Sequence, residues 1–216
     1  MKHDPLVLCL TNSVAANFTA NCLLAIGAKP AMVEDPSEAE ELAAVADALL
    51  VNLGTVTERQ AEAMRRAIKV ANEKGVPWVL DPVGVQLLSF RRQLALEFAG
   101  LHPAIIRGNH AEIDTLGPVV CVTLATGATD VIKQSNDSNT QRITGGVPLL
   151  QAVTATGCVQ GGLCAAFLGR GQTPPEACLS VSKLMKRAGE MAWTRARAPG
   201  SFKVALVDAL WELSHE

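Results

Sequence analysis

Ala48-Leu49-Leu50-Val51-Asn52-Leu53 and Pro77-Trp78-Val79-Leu80-Asp81 are two apolar runs of strand length that close on polar or glycine residues. Residues 57–74 lie between them, repeat with helical period, and open on Thr57 and Gln60 as a capping box. A third run, Pro103-Ala104-Ile105-Ile106-Arg107, extends the plan downstream. Upstream, residues 37–46 form a helical segment whose box is Ser37 and Glu40. Alternation at this spacing predicts right-handed βαβ units. The fold expected is α/β, with a mostly parallel central sheet and helices on both faces. In such sheets ligands bind in the crevice at the carboxyl ends of the strands, so polar residues at strand exits become candidates.

The second half starts with Val119-Val120-Cys121-Val122-Thr123-Leu124 and continues into a polar stretch, residues 133–141, that reads as a hairpin. Strand content is expected to about Val153. Small residues then predict a tightly packed helix over 156–168. A further helix is capped by Thr173 with Pro174 in its first turn, and a closing helix is expected over 204–214. No repeat or linker divides the chain, so residues 1–216 read as a single domain.

Composition agrees with a globular core. The 216 residues are 49% hydrophobic and 19% charged, enough to bury one sizeable interior. A net charge of −2 leaves no basic footprint for nucleic acid, and 4% aromatic residues with no tyrosine make base-stacking platforms improbable. The first residues carry no secretory pattern, and no stretch reaches the roughly 20 apolar residues of a membrane span, so a cytoplasmic address is expected. Six scattered cysteines lack the paired spacing of a zinc site or a disulfide framework and read as reduced thiols.

Val153-Thr154-Ala155-Thr156-Gly157-Cys158 is the strongest chemical signal. Small residues here turn into a helix, and the free amides with the positive end of the dipole suit an anion that Ala155 and Gly157 would let approach. Cys158 falls in the first turn, where the dipole is expected to lower a thiol pKa and make it a conceivable base or nucleophile. A small-residue helix start with a buried cysteine is the plainer reading. Asp81 leaves its strand before Pro82, as a magnesium or substrate ligand or as a loop cap. Arg107 can meet phosphate and Glu112 can hold magnesium through water, or the two serve as loop ion-pair residues. Asn12, Asn21 and Met32, near the first strand and helix, could orient and pack a small heterocycle, or be caps and core. His110 is given no role.

Taken together, Thr11-Asn12, Asn17-Phe18-Thr19-Ala20-Asn21, Gly27-Ala28-Lys29-Pro30-Ala31-Met32, Asn52-Leu53-Gly54-Thr55, Leu80-Asp81-Pro82-Val83, Arg107-Gly108-Asn109 and Pro199-Gly200-Ser201-Phe202 resemble the hydroxyethylthiazole kinase family, in order from Leu6 to Trp211. The resemblance implies a ribokinase-like fold. It also implies ATP-dependent phosphorylation of the hydroxyl of 4-methyl-5-(2-hydroxyethyl)thiazole in thiamine salvage, a magnesium requirement, and a homotrimer. Carried over by position, Met32 and Ala155 contact the thiazole, with Asn12 and Asn21 beside it. Arg107, Thr126 and Gly157 serve ATP, Asp81 and Glu112 lie near magnesium, and Cys158 is the active-site cysteine.

Three features depart from the family pattern. Ala155 replaces a glycine and could narrow the pocket. Gly161 and Gly162 follow Cys158 and are expected to loosen the helix start, at about 1 kcal/mol each. Residues 111–118 replace a helix-length segment, and the block missing near 113–119 leaves too little chain for an ordinary crossover. The expected explanation is that residues are absent from the sequence, the alternative being one rebuilt βαβ unit. The polar residues 135–139 are expected to form a mobile hairpin tip. Two other functions fit the same features: a catalytically weakened ligand-binding homologue, and a kinase for another hydroxyalkyl heterocycle.

Overall fold

The computed structural model describes residues 4–134 and 140–215. In chain order these form β1 (Leu6–Leu10), α1 (Ala16–Ala25), β2 (Lys29–Met32), α2 (Pro36–Ala43), β3 (Ala48–Asn52), α3 (Glu58–Lys74), β4 (Trp78–Asp81), α4 (Ser89–Ala99), β5 (Ile105–Asn109), α5 (His110–Leu116), β6 (Val122–Thr126), β7 (Asp130–Lys133), β8 (Thr140–Ile143), α6 (Leu149–Ala152), α7 (Thr156–Gly169), α8 (Pro174–Arg195) and α9 (Pro199–His215). One sheet runs in the order β2-β1-β3-β4-β5-β6-β7-β8. It is parallel from β2 through β6, and β7 and β8 add antiparallel. The α/β expectation is met.

The alternation of side chains along each strand explains why the runs are continuously apolar. Leu50 and Val79 face one core with Leu163 and Phe202, while Leu49, Leu80 and Trp78 face a second core with Met64 and Phe98. Both faces are therefore dry. Helices α1, α7, α8 and α9 cover the first and α2, α3 and α4 the second. No helix among the described residues is long and apolar enough to cross a membrane.

Helix caps follow local chemistry with one correction. Thr57 and Gln60 form the expected reciprocal box, with Gln60 N donating to Thr57 Oγ1 at 3.3 Å and Thr57 N to Gln60 Oε1 at 3.0 Å. Asp35, not Ser37, caps α2: its carboxylate accepts from Ser37 N at 2.9 Å, and Pro36 takes the first turn, where its missing N–H costs nothing. Thr173 caps α8, its N–H donating to Glu176 at 2.9 Å.

The second half departs from expectation in three places. Strand structure stops at Ile143 rather than near Val153: Gly145 and Gly146 adopt φ of 107° and 79°, and the short α6 precedes Val153. The closing helix starts at Pro199, ahead of the expected 204. Finally, β5 and β6 are hydrogen-bonded parallel neighbours, joined by α5 and residues 117–121. The expectation that this stretch is too short is corrected: one seven-residue helix, ended by Gly117 at φ 69°, completes the crossover at the lower limit of about a dozen residues. The hairpin tip at 135–139 lies outside the described residues.

Gly161 and Gly162 also act differently from the expected loosening. A Cβ at Gly161 would come 3.0 Å from Leu50 Cδ1 and 3.4 Å from Asp81 Oδ2, and one at Gly162 would come 2.9 Å from Thr19 Cγ2. The glycines let α7 settle onto the sheet and α1, and the helix start is closely packed.

Candidate active site

Parallel strands deliver Asn12, Asn52, Asp81, Arg107 and Thr126 to one edge, because Asn52, Asp81 and Thr126 end β3, β4 and β6, Asn12 lies just beyond β1, and Arg107 projects from the middle of β5 toward the same edge. They are joined in a buried polar chain. Asn12 Oδ1 accepts from Ala15 N at 2.9 Å while its Nδ2 donates to Asn52 Oδ1 at 2.8 Å. Asn52 Nδ2 donates to Asp81 Oδ2 at 2.6 Å. Arg107 reaches Asp81 Oδ1 at 3.5 Å and donates to Thr126 Oγ1 at 2.5 Å. Asn52 and Asp81 are fully buried, and Asn12, Arg107 and Thr126 nearly so.

Helix α7 closes over this chain by its amino terminus. A Cβ at Gly157 would lie 2.9 Å from Arg107 Nη2, so only glycine lets the first turn approach the guanidinium. Cys158 Sγ accepts from Asn12 Nδ2 at 3.5 Å. Ala155, directly before the helix, is left-handed at φ 70°, the conformation that suits the glycine expected there. A methyl group is carried at a backbone cost.

Burial sets the ionisation pattern. The Asp81 carboxyl is pushed up to about 6, chiefly by burial; the Arg107 cation opposes that shift and the nearby Glu112 carboxylate adds to it. The Cys158 thiol is pushed up to about 11 by burial and then by the Asp81 charge, against hydrogen bonds from Asn52 and Asn12 and the Arg107 cation. The expectation of a dipole-lowered thiol is corrected: burial and a neighbouring carboxylate outweigh the helix end, and the thiol is neutral near pH 7.

A cavity of about 810 Å³ opens beside the chain on the β5–β7 side, lined by Arg107, Thr126, Gly127, Gly157, Gln160 and Lys186 among others. The three residues expected to serve ATP therefore share one hollow. A second hollow, of about 570 Å³, lies on the β1–β3 side and includes Ser13, Glu34, Thr55 and Arg59.

Glu112 is nearly buried, with Oε1 accepting from Gly84 N at 2.9 Å and Oε2 from Asn109 N at 2.8 Å. It clamps the turn after β4 to the end of β5. Met32 and Asn21 are not brought into this group. Met32 ends the edge strand, 37% exposed, and Asn21 is an exposed residue of α1 bonded to Asn17. The site also contains residues that were not singled out: Asn52, at the centre of the polar chain, and Asp130 and Lys186 at the cavity wall. Asn52 carried a signal in sequence, since a polar residue closes an otherwise apolar strand. Lys186 carried none.

The model of the hydroxyethylthiazole kinase family matches residues 1–120 and 117–216. The chain belongs to that family. It is 40% identical to the hydroxyethylthiazole kinase of Salmonella schwarzengrund over 247 residues, an alignment covering 100% of this chain and 92% of that protein. Identity to the Escherichia coli O9:H4 enzyme of that name is 41% over 240 residues, with the same coverage. The solved hydroxyethylthiazole kinase of Pyrococcus horikoshii superposes with a TM-score of 0.92 at 35% identity, over 97% of this chain and 88% of that one. Bacillus subtilis pyridoxal kinase, solved as an ADP complex, shares the ribokinase-like fold alone, at a TM-score of 0.63 and 15% identity over 86% of this chain and 92% of that one. This hydroxyethylthiazole kinase family member is thus a phosphotransferase with an alcohol acceptor. The family model breaks at residues 117–120, immediately after α5, and both alignments are longer than the 216-residue chain, so the relatives carry additional residues.

Proposed function

We propose that the chain transfers the terminal phosphoryl group of ATP to the hydroxyl of 4-methyl-5-(2-hydroxyethyl)thiazole in thiamine salvage. The observation that carries this reading is the meeting of the α7 amino terminus with Arg107 over a buried Asn12–Asn52–Asp81 chain, beside a cavity large enough for a nucleotide. Arg107 Nε is buried without a hydrogen-bond partner among the described residues, which suits a phosphate oxygen. ATP occupies the larger cavity against Arg107, Thr126 and Gly157. The thiazole alcohol is met by Asn12 and Ala155 at the start of α7, while Met32 and Asn21, outside the polar chain, keep only the thiazole contact that the family resemblance implies.

Cys158 orients the acceptor hydroxyl through Sγ. A neutral thiol suffices because a loose phosphoryl-transfer transition state asks little of a base, and positioning with electrostatic stabilisation does most of the work. Gly157 N and its neighbours in the first turn of α7, with Arg107, stabilise charge on the transferred group.

Magnesium suits this donor set. Among the described residues no cluster of three or more His, Cys, Asp or Glu forms a cage, but magnesium generally needs only one or two carboxylates with water and phosphates. Asp81 and Glu112 would hold the hydrated ion through water, and its charge would ease the repulsion between the two carboxylates. When bound, the ion neutralises phosphate charge. The homotrimer that the family resemblance implies would be reported by sedimentation as three times the 22.7 kDa chain.

The test is coupled ADP release with hydroxyethylthiazole, ATP and magnesium for the natural chain, Cys158→Ala and Arg107→Ala. Thiazole-dependent turnover that drops about tenfold or more in both variants supports the assignment. Thiazole binding without turnover would identify a degraded binder instead, and turnover confined to another hydroxyalkyl heterocycle would reassign the acceptor.

A further inference from the structure

Lys186, on α8, is nearly buried, although long cationic side chains seldom are. Its Nζ donates to three backbone carbonyls, Gly127 at 3.4 Å, Ala128 at 3.3 Å and Gly145 at 3.2 Å, and pairs with Asp130 Oδ1 at 3.5 Å. Asp130 Oδ1 in turn accepts from Gly127 N at 3.0 Å. One turn along the same helix, Glu190 Oε1 accepts from Gly146 N at 2.7 Å. Two chain segments distant in sequence, the turn between β6 and β7 and the Gly145–Gly146 stretch, are thus tied to one helix. Both segments line the 810 Å³ cavity.

The glycines fit this arrangement closely. Gly145 and Gly146 both have positive φ, a Cβ at Gly145 would lie 3.0 Å from Glu190 Oε1, and one at Gly146 would lie 3.3 Å from Lys186 Cγ. The loop wraps the lysine stem in a conformation other residues resist. Stability is a poor reason to keep such a group, since a buried ion pair is often matched or bettered by apolar residues of similar volume. Its place in a cavity wall supplies a better one.

We propose that Lys186 is a positioning residue for the nucleotide: its ammonium group holds the two lips of the ATP cavity at their working separation, assisted by Asp130 and Glu190. The inference rests on the reading of that cavity as the ATP site. Lys186 acts through the Gly127, Ala128 and Gly145 carbonyls and leaves the acceptor side untouched.

The experiment measures calorimetric affinity for magnesium-ATP, and separate KM values for ATP and thiazole, in the natural chain, Lys186→Met and Lys186→Ala. Lys186→Met is expected to weaken ATP binding and raise its KM about tenfold, roughly the worth of one hydrogen bond to a charged group, while kcat and the thiazole KM stay within about twofold. In Lys186→Ala, ammonium chloride is expected to restore part of the ATP affinity where sodium chloride does not, and this arm carries the test if the methionine variant fails to fold. Unchanged ATP affinity in a folded variant, equal rises in both KM values, or no distinction between the two salts overturns the inference. A natural chain that binds no ATP would overturn the underlying reading instead.

Discussion

Asp81 sits where burial and catalysis conflict. Its carboxyl, raised to about 6, is ionised at neutral pH largely because Arg107 faces it. On the proposed role of the Asp81 carboxylate beside magnesium, kcat/KM is expected to fall on the acid side with an apparent pKa near 6. Replacing Arg107 by Gln removes the strongest influence holding the pKa down, so the acid limb must move to higher pH; an unmoved limb would detach it from Asp81. The same change strands a buried carboxylate, and about 3–5 kcal/mol of stability should go with it in urea unfolding at pH 8. At Ala155 the sign is opposite. Its φ of 70° strains an alanine by about 1–2 kcal/mol, of which glycine's extra unfolded-state freedom returns roughly half. Ala155→Gly is expected to stabilise the chain by about 0.5–1 kcal/mol by urea unfolding, and a loss of stability would show that the methyl packs usefully.

Helix α7 shows how an element can contradict its propensities. Gly161→Ala should favour the isolated helix by about 1 kcal/mol, yet its methyl would press on Leu50 and Asp81, so net destabilisation of more than 1 kcal/mol is expected. Gly200→Ala is the control: beyond its chain neighbours and the backbone of its own helix no atom lies within 4 Å of its added Cβ, it sits in the first turn of α9, and it should be neutral or stabilising in the same melt. Equal responses would refute the packing argument. The contrast marks what was legible in the sequence. Strands β3, β4 and β5 and the Thr57–Gln60 box could be read because local period and capping chemistry specify them. Asp35 displaced Ser37 as a cap because either carries a suitable side chain and only tertiary placement chooses between them. Helix α6 has four residues, too few for a period, and was read as strand. Asp81, Arg107, Thr126 and Glu112 were accessible as strand exits or by resemblance, whereas Lys186 is defined by three carbonyls remote in sequence.

At the scale of the molecule, one sheet separates two dry cores, and the nucleotide-side cavity is bordered by β5, β6, α5, α7 and α8 together. Ligand binding there should be felt on both faces. Any nucleotide that binds only the folded chain stabilises it by about 2.7 kcal/mol at one hundred times its dissociation constant. For a domain of this size that corresponds to a rise in melting temperature of roughly 5–10 °C. Trp78 reports the face covered by α3 and α4, while Trp193 and Trp211 lie on α8 and α9 of the other. With magnesium-ATP, melts of variants keeping Trp78 alone or Trp193 alone are expected to shift together. A shift confined to Trp193 would mean that the face covered by α7 and α8 tightens as a separate unit from the face covered by α3 and α4. A common shift would show that both faces of the sheet unfold as one cooperative unit that the nucleotide stabilises.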